Sequence, residues 1–215
     1  MIVRIVALSD THCLHDQVTN LPDGDILVHA GDFTGRGGYK ALMKFAAWLS
    51  KQKDKYAHRV VIAGNHDFGL QDHPVATKAL FDSKVIYLEN QSRTICGLKF
   101  WGSPYTLPFY RWAFMADENT LAEMYSHIPE DTQVLITHGP PRGILDKSSR
   151  GEHCGSEALY ERIKQLPNLK VHIFGHIHEG HGQEEIEGVR FYNVAVLNDQ
   201  YHMIHQPTVI EVENE

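Results

Sequence analysis

Two short stretches of the chain place acidic and histidine side chains at two-residue spacing. Asp10 and His12 stand two apart in SDTH, and His176 and His178 stand two apart in FGHIHEGHG. Residues i and i+2 of an extended backbone point to the same face, so each pair can direct two side chains at one point. Carboxylate oxygen and imidazole nitrogen are common ligands of transition-metal ions, and these spacings therefore favour metal binding.

Three further residues with metal-binding groups stand where an apolar run gives way to a polar loop: Asp32, Asn65 and His138. Ligands of α/β folds gather at the carboxyl ends of strands, so the five polar clusters can meet at one place. Together the seven residues offer carboxylate, amide and imidazole groups. That mixture suits Mn, Fe, Zn or Ni better than Ca or Mg, which favour shells made of oxygen alone.

Seven ligands are too many for one ion that keeps an open position, and they suit two ions that share a bridging carboxylate. Two such ions lie about 3.5–4 Å apart and can contact both the attacking and the leaving oxygen of a phosphoryl group. Two divalent ions, two aspartates and one hydroxide leave a net charge of about +1, which favours an anionic phosphate. The alternative is that these are polar loop residues that cap helices and form turns.

The elements that must position these residues follow from the pattern of apolar side chains. Short β-branched runs alternate with amphipathic stretches, which predicts an α/β domain. The predicted strands cover 2–8, 25–30, 59–64, 84–89, a hairpin over 92–102 that turns at Gly97, 133–138, 169–175, 189–196 and 207–212. The predicted helices cover 39–53, 74–81, 118–128 and 156–166, with Ser156 as a natural N-cap of the last. The strand-rich second half indicates two sheets packed together.

Length and composition restrict the class of protein. The 215 residues suit a single domain over 1–215, and 42% apolar with 22% charged residues is an ordinary globular balance. The sequence contains no apolar run of bilayer-spanning length, and its N-terminus is typical of a first strand and not of a signal peptide. Three scattered cysteines suggest no disulfide framework and favour a reducing cytoplasm. The formal charge of −7 argues against stable binding to nucleic acid.

A family resemblance rests on five motifs that run in order from residue 10 to residue 178: DTH, GD, GNHD, the TH of THGPP, and GHIH. They resemble the motif set of the calcineurin-like metallophosphoesterases. The strings LPDGDILVHAGDFT, THGPPRGILD, HIFGHIHEG and HQP are similar to the class III phosphodiesterase-like (MPPED) branch. The resemblance implies a four-layer α/β/β/α sandwich of two mixed sheets, with helices outside and a dinuclear metal site at one end.

The same resemblance assigns roles to particular residues. The first metal takes Asp10, His12 and His178, the second takes Asn65, His138 and His176, and Asp32 bridges them. His66 is implied to be the general acid that protonates the leaving oxygen, or a group that stabilises charge on the phosphate. The implied nucleophile is a metal-bridging hydroxide that attacks in line, without a covalent enzyme intermediate.

Two positions differ from patterns seen elsewhere in the superfamily. Protein phosphatases typically read GDxVDRG, whereas this chain reads GDFTGRG and has Gly35 in place of the acidic residue. The acid that orients the equivalent of His66 in those enzymes is absent there, which disfavours a protein phosphatase. Some animal members of the MPPED-like branch have glycine at the position of His176, and this chain keeps the histidine.

We therefore expect a metal-dependent phosphoric ester hydrolase. Its expected activity is that of a phosphodiesterase on small phosphodiesters or cyclic nucleotides, with two divalent or mixed-valence metal ions. Manganese is the first choice of metal, with Fe, Zn or Ni as alternatives. The alternative functions are a phosphomonoesterase or protein phosphatase with the same site, or a non-catalytic scaffold of this fold. The expected partner is a small phosphate ester; no membrane partner is expected, and a homo-oligomer is left open.

Three sets of residues keep two interpretations each. The segment 102–114 contains five aromatic residues and could form a wall for a nucleobase, or pack as a loop on the hydrophobic core. His181 could extend the metal shell or touch substrate, or be a loop residue between two glycines. Four basic residues are either contacts for a second phosphate oxygen or a substrate tail, or surface charges: Arg111, Arg142, Lys147 and Arg150.

Overall fold

The computed structural model describes residues 1–214, and two β-sheets packed face to face form its centre. The first sheet contains β1 (Ile2–Leu8), β2 (Ile26–Ala30), β3 (His58–Ile62), β4 (Val85–Tyr87) and β11 (Thr208–Glu213). Their order is β11–β1–β2–β3–β4, and the β1–β11 pair is antiparallel while the others are parallel.

The second sheet is also mixed. It contains β5 (Gln91–Ile95), β6 (Leu98–Ser103), β7 (Val134–Thr137), β8 (Val171–Phe174), β9 (Gly182–Ile186) and β10 (Val189–Asn193). The order is β5–β6–β7–β8–β10–β9, with antiparallel pairs at both edges and parallel pairs between.

Five α-helices accompany the sheets within the described residues. They are α1 (Tyr39–Lys51), α2 (Phe68–Asp72), α3 (Pro74–Lys78), α4 (Glu118–Ser126) and α5 (Glu157–Ile163). The side chain of Ser156 accepts a hydrogen bond from the backbone N–H of Leu159, which confirms the N-cap predicted for the last helix. Among residues 1–214, no helix has both the length and the apolar character that a bilayer crossing requires.

Alternating side chains on the strands create the layers. In β1, Ile5 and Ala7 point into the core between the two sheets, whereas Val6 and Leu8 pack outward towards α1. The outer face of the second sheet packs in the same way against α4 and α5. The order helix, sheet, sheet, helix confirms the predicted α/β/β/α sandwich of two mixed sheets.

Two elements are absent from the sequence-based expectation, and one helix ends earlier than expected. Strand β9 was not predicted, because four of its five residues are exposed at the sheet edge and show no apolar alternation. Helix α2 was also not predicted, since its five residues form a single short turn after the GNHD loop. Helix α5 ends at Ile163, three residues before the predicted boundary.

A buried histidine lies in the core of the second sheet. His172 on β8 has its Nε2 atom 2.8 Å from the hydroxyl of Thr137, which in turn donates to the carbonyl of Gly139 at 2.6 Å. Because that hydroxyl is committed as a donor, Nε2 carries the proton and the ring is neutral. The Nδ1 atom has no hydrogen-bond partner, and burial lowers the pKa of His172 to about 3.

His172 is expected to make the fold acid-sensitive. The histidine takes up a proton near pH 6.5 in the unfolded state and only near pH 3 in the folded state. Its contribution to the free energy of unfolding is therefore fully present above about pH 6.5 and is lost as the pH falls from 6.5 to 3. Between pH 6.5 and 4.5 the loss is about 2 kcal/mol. In urea unfolding of metal-free protein, His172→Leu should lose correspondingly less stability across this interval. The surface variant His127→Leu should behave like the wild type. The expectation would be contradicted if the free energy of unfolding of His172→Leu fell with pH as steeply as that of the wild type.

Candidate metal centre

The loops that follow β1, β2, β3, β7 and β8 meet at one end of the two sheets. The backbone N–H of Asp10 donates to the carbonyl of Gly31 at 2.9 Å, and that of Gly175 donates to the carbonyl of His138 at 3.0 Å. The His138 ring crosses between the sheets, with Nδ1 2.9 Å from the carbonyl of Ala30. All seven predicted ligands are therefore brought to one place, as the strand-end pattern predicted.

The first group of ligand atoms belongs to Asp10, His12 and His178, and these atoms lie within 4.8 Å of one another. Asp10 Oδ1 and His178 Nε2 face each other at 3.4 Å. The opposite nitrogen, His178 Nδ1, is 2.9 Å from the carbonyl of Asn198. A histidine that donates one ring nitrogen to a carbonyl presents the other as a metal ligand, so this arrangement prepares Nε2 for a cation.

The second group contains Asp32, His138 and His176, whose ligand atoms also lie within 4.8 Å of one another. Asn65 Oδ1 is 3.0 Å from His138 Nε2 and so stands beside this group. The Nδ1 atom of His138 donates to Ala30, which leaves Nε2 as the ring nitrogen that faces the centre. These four residues include the three assigned to the second metal by the family resemblance.

Asp32 lies between the two groups. Its Oδ2 atom is 3.8 Å from His12 Nε2 and 3.3 Å from His138 Nε2. The Oδ1 atom is occupied by the backbone N–H of His66, at 2.7 Å. One carboxylate oxygen therefore faces ligand atoms of both groups, which is the placement that a bridging ligand needs.

The backbone at this end of the sheets is locally strained. Four of the seven predicted ligands adopt positive φ angles, namely Asp10 at 55°, His12 at 39°, Asp32 at 56° and His176 at 69°. Residues other than glycine rarely adopt this left-handed region, and such strain is concentrated at functional sites. The fold holds these residues in an unfavourable backbone conformation that aims their side chains at the centre.

Unpartnered polar atoms test whether cations fit this centre. Asp10 Oδ1 and both ring nitrogens of His12 are buried and make no hydrogen bond within the described residues. Buried polar atoms are nearly always paired, because leaving them without a partner costs free energy. A cation satisfies a carboxylate oxygen and an imidazole nitrogen together, so the first group fits a divalent transition-metal ion. The second group offers the same kinds of ligand atom.

The electrostatics of the centre link metal binding to proton release. Burial alone would lower the pKa of His138 and of His178, but the neighbouring carboxylates Asp32 and Asp10 outweigh it and raise both values to about 9. Burial would raise the pKa of each carboxyl group, but its histidine partner outweighs this and lowers it. Without metal, protons on these histidines balance the carboxylates, and a cation must displace them.

Two glycines allow the ligands to pack this closely. A Cβ atom on Gly64 would stand 2.3 Å from Asp32 Oδ1 and 2.6 Å from His138 Cε1. A Cβ atom on Gly175 would stand 2.2 Å from Asp10 Oδ2. All three distances are far below van der Waals contact, so any side chain at these positions would displace a predicted ligand.

His66 lies at the edge of the centre, and the structure shows what orients it. Its Nδ1 atom is 2.7 Å from the carbonyl of Gly35, the residue that replaces the phosphatase acid. Its ring stacks on Trp112, with centroids 4.1 Å apart and planes inclined by 26°. Its Nε2 atom lies 4.0 Å from Asp32 Oδ2. Ligand atoms of His66, His12 and Asp32 also lie within 4.8 Å of one another. His66 is thus close enough to serve either a substrate or a metal ion.

The segment 102–114 packs on the core at one end, as its second interpretation expected, and exposes aromatic rings at the other. Ala113 and Phe114 are buried in the core, as expected for a packed loop. Phe109 is 42% exposed and stands edge-on to His176 at a centroid distance of 5.5 Å, while Trp112 contacts His66. The inner end of the segment anchors it, and the outer end forms an aromatic wall beside the metal centre.

His181 lies outside both ligand groups in the part of the chain that the structure describes. Its ring stacks on that of His205 with centroids 3.7 Å apart, and its buried Nδ1 atom has no hydrogen-bond partner. Arg142 makes only a long contact of 3.5 Å to the carbonyl of His153. Neither residue is placed against the predicted ligands.

Asp67 is a structural member of the site that sequence reasoning missed. It is fully buried and accepts hydrogen bonds from the backbone N–H groups of Asp32, Thr34 and Gly64, at 2.9, 3.0 and 2.9 Å. It therefore ties the loop after β2 to the loop after β3. The only signal for it was the last letter of GNHD.

Comparison with known proteins agrees with this geometry. The family model for calcineurin-like phosphoesterase matches residues 3–180. Metallophosphoesterase domain-containing protein 1 of Homo sapiens is 32% identical over 97% of this chain and 71% of its own length. The UPF0046 protein K07C11.7 of Caenorhabditis elegans is 35% identical over 98% of this chain and 75% of its own length.

One more relative and a solved structure extend the comparison. Probable rhamnogalacturonate lyase C of Emericella nidulans is 42% identical over 86% of this chain, which corresponds to 18% of that protein. A solved crystal structure superposes with a TM-score of 0.68 at 18% identity, over 90% of both chains, which supports the fold alone. The family match and the two ligand groups together support a metal-dependent phosphoester hydrolase with a dinuclear centre. The chain belongs to the calcineurin-like phosphoesterase family.

Proposed function

We propose that the protein is a dinuclear-metal-dependent phosphodiesterase that acts on small phosphodiesters, including cyclic nucleotides. The observation that carries the proposal is the position of Asp32, whose Oδ2 atom faces His12 at 3.8 Å and His138 at 3.3 Å. A single carboxylate shared by two ligand groups is the arrangement that two-metal phosphoester hydrolysis requires.

Each side chain of the centre has a proposed part in this function. The residues that would hold the metal ions are Asp10, His12 and His178 in one group, Asn65, His138 and His176 in the other, and Asp32 between them. Bound divalent cations at such a site supply positive charge for the phosphate and a water-derived nucleophile at neutral pH. Manganese is the proposed metal, because carboxylate, amide and imidazole ligands suit it.

His66 is proposed to donate a proton to the leaving oxygen. The Gly35 carbonyl holds the Nδ1–H group at 2.7 Å, which leaves Nε2 directed towards the centre as the atom that transfers the proton. Trp112 covers one face of the imidazole and keeps water from it. A positioned imidazole suits proton transfer near neutral pH.

The surroundings favour a diester over a phosphoprotein. Phe109 and Trp112 place an apolar aromatic surface next to both His176 and His66, and such a surface suits the second ester substituent of a diester or a nucleobase. Gly35 also replaces the acidic residue of the protein phosphatases. Because the chain has a net charge of −7, we expect no stable nucleic-acid binding. The cytoplasmic location remains a prediction.

The proposal is tested with bis(p-nitrophenyl) phosphate and p-nitrophenyl phosphate. Protein stripped of metal should be inactive, and Mn²⁺ should restore cleavage with a higher kcat/KM for the diester. Parallel refilling with Fe²⁺, Zn²⁺ and Ni²⁺ ranks the metals. A preference for the monoester would indicate a phosphomonoesterase. No turnover of either ester, with two metals bound per chain, would favour a scaffold that has kept its ligands.

A further inference from the structure

A cavity adjoins the metal centre on the side of His66. It has a volume of about 250 Å³ and is lined by Arg36, Phe68, Tyr110, Arg111 and Trp112. Its residues are distinct from the seven predicted metal ligands. Two of the lining residues are aromatic, Phe68 and Trp112, with ring centroids 6.0 Å apart, and two are arginines.

Trp112 connects this cavity to the predicted catalytic histidine. The indole ring is 4.1 Å from the His66 ring, and the Cζ atom of Arg36 lies 5.2 Å from the indole centroid. Because these two separations can at most add, the guanidinium carbon lies no more than 9.3 Å from the His66 centroid. A single small substrate can therefore reach both the metal centre and this arginine.

The two arginines have no carboxylate partner. Over residues 1–214, neither Arg36 nor Arg111, both exposed, is within 4.0 Å of an Asp or Glu oxygen. The lining of the cavity contains no Asp or Glu. Two guanidinium groups around one cavity without a carboxylate between them can receive an anionic ligand.

The loop that carries Arg36 is held firmly. The backbone N–H of Gly37 donates to the Thr34 hydroxyl at 2.8 Å, and that hydroxyl donates to buried Asp67 at 2.8 Å. Gly37 has a φ of 66° and packs so closely on α2 that a Cβ atom would be 2.3 Å from the Gly69 nitrogen. The guanidinium group therefore extends from a backbone that has little freedom to move.

The segment that carries Arg111 is fixed in a similar way. Thr106 donates its backbone N–H to the carbonyl of Phe114 at 3.0 Å, which closes the loop. Phe114 donates to the side chain of Gln71 at 2.6 Å, and Ala113 donates to the carbonyl of Asn65 at 3.0 Å. Fixed loops reduce the entropy lost when a ligand binds, so both arginines are presented on pre-organised backbone.

We propose that Arg36 and Arg111 bind a second phosphate group of the substrate while the scissile phosphate occupies the metal centre. The inference rests on the proposed function and narrows its substrate class to phosphoesters that carry a further phosphate. Guanidinium groups bind phosphate oxygens through paired N–H donors, and two of them around one cavity match a dianion. Phe68 and Trp112 carry the apolar part that joins the two phosphates.

The test measures binding to metal-loaded protein by calorimetry, so it does not depend on turnover. The probes are thymidine 5′-monophosphate and thymidine 3′,5′-bisphosphate, which differ by one phosphate. The wild type should bind the bisphosphate about tenfold more tightly or better, as charge-assisted hydrogen bonds of this kind provide. Arg36→Gln and Arg111→Gln should each reduce that preference, and the double variant should bind both nucleotides about equally.

The control is Arg93→Gln on β5, an exposed arginine outside the cavity, which should keep the wild-type preference. Unchanged Tm and metal content establish that the variants fold. Equal affinities in the wild type, or a preference that survives in the double variant, would overturn the subsite. Failure of the proposed function has a separate readout, which is the absence of metal-dependent turnover of bis(p-nitrophenyl) phosphate. The nucleotide preference of such an inactive protein can still be measured by calorimetry.

Discussion

Asp32→Asn is expected to lower the bound metal from two ions per chain to one or none, and to reduce kcat/KM for a phosphodiester by about 10³-fold or more. Asparagine removes the charge and one of the two oxygens. The oxygen that faces both His12 and His138 is the one at risk, because the other accepts the backbone N–H of His66 at 2.7 Å. An amide oxygen can keep that second contact, so the fold should persist.

Elemental analysis of metal per chain, together with steady-state kinetics after Mn²⁺ refilling, measures this effect. Asp131→Asn is the matched control, since Asp131 is exposed and forms only a surface ion pair with Lys99 at 3.1 Å. The control should retain both metals and wild-type kinetics. A fully active Asp32→Asn protein with two bound metals would rule out the bridging role of Asp32.

The sequence was a good guide to the layers and to the place of the ligands. Alternation of apolar residues in β1 gave two buried faces, and the structure places one against the second sheet and the other against α1. The five polar clusters converge because the strands that precede them are the parallel neighbours at the middle of each sheet. A local pattern of strand followed by polar loop thus carried long-range information.

Backbone groups in the site could not be predicted in this way. The carbonyls of Gly35, Ala30 and Asn198 orient His66, His138 and His178 respectively. Every residue has a carbonyl, so side-chain type gives no signal for which one will accept a hydrogen bond. The missing acid at position 35 raised the question of what orients His66, and a backbone carbonyl of the same residue supplies the answer.

Tertiary contacts explain the other omissions. Trp112 was one of five aromatic residues in 102–114, and only the folded loop shows that it stacks on His66 and carries Arg36 on its indole. Arg36 had no motif role in the sequence because its cavity is assembled from three separate segments. Strand β9 is defined by hydrogen bonds to β10 and not by apolar side chains, so periodicity could not reveal it.

His66→Ala is expected to keep two metals per chain and to lower kcat by about 10²–10⁴-fold on a diester with an alkyl leaving group. The reason is that an alkoxide leaves poorly unless a proton reaches its oxygen, and Nε2 of His66 is the atom proposed to provide it. A dinucleoside phosphate is a suitable alkyl diester. The loss should be clearly smaller with bis(p-nitrophenyl) phosphate, because p-nitrophenolate is a stable anion that departs without protonation.

The comparison of leaving groups separates three roles for His66. Equal losses on both diesters, with metal retained, would indicate that the imidazole stabilises charge on the phosphate and does not donate a proton. Loss of metal would place His66 in the ligand shell. The geometry allows this role, because His66 Nε2 lies 4.0 Å from Asp32 Oδ2 and its ligand atom is within 4.8 Å of that of His12. His127→Ala, an exposed histidine, controls for general effects of the substitution. A larger loss for the alkyl leaving group is the result that assigns general acid catalysis, since only proton transfer depends on how well the leaving oxygen bears charge.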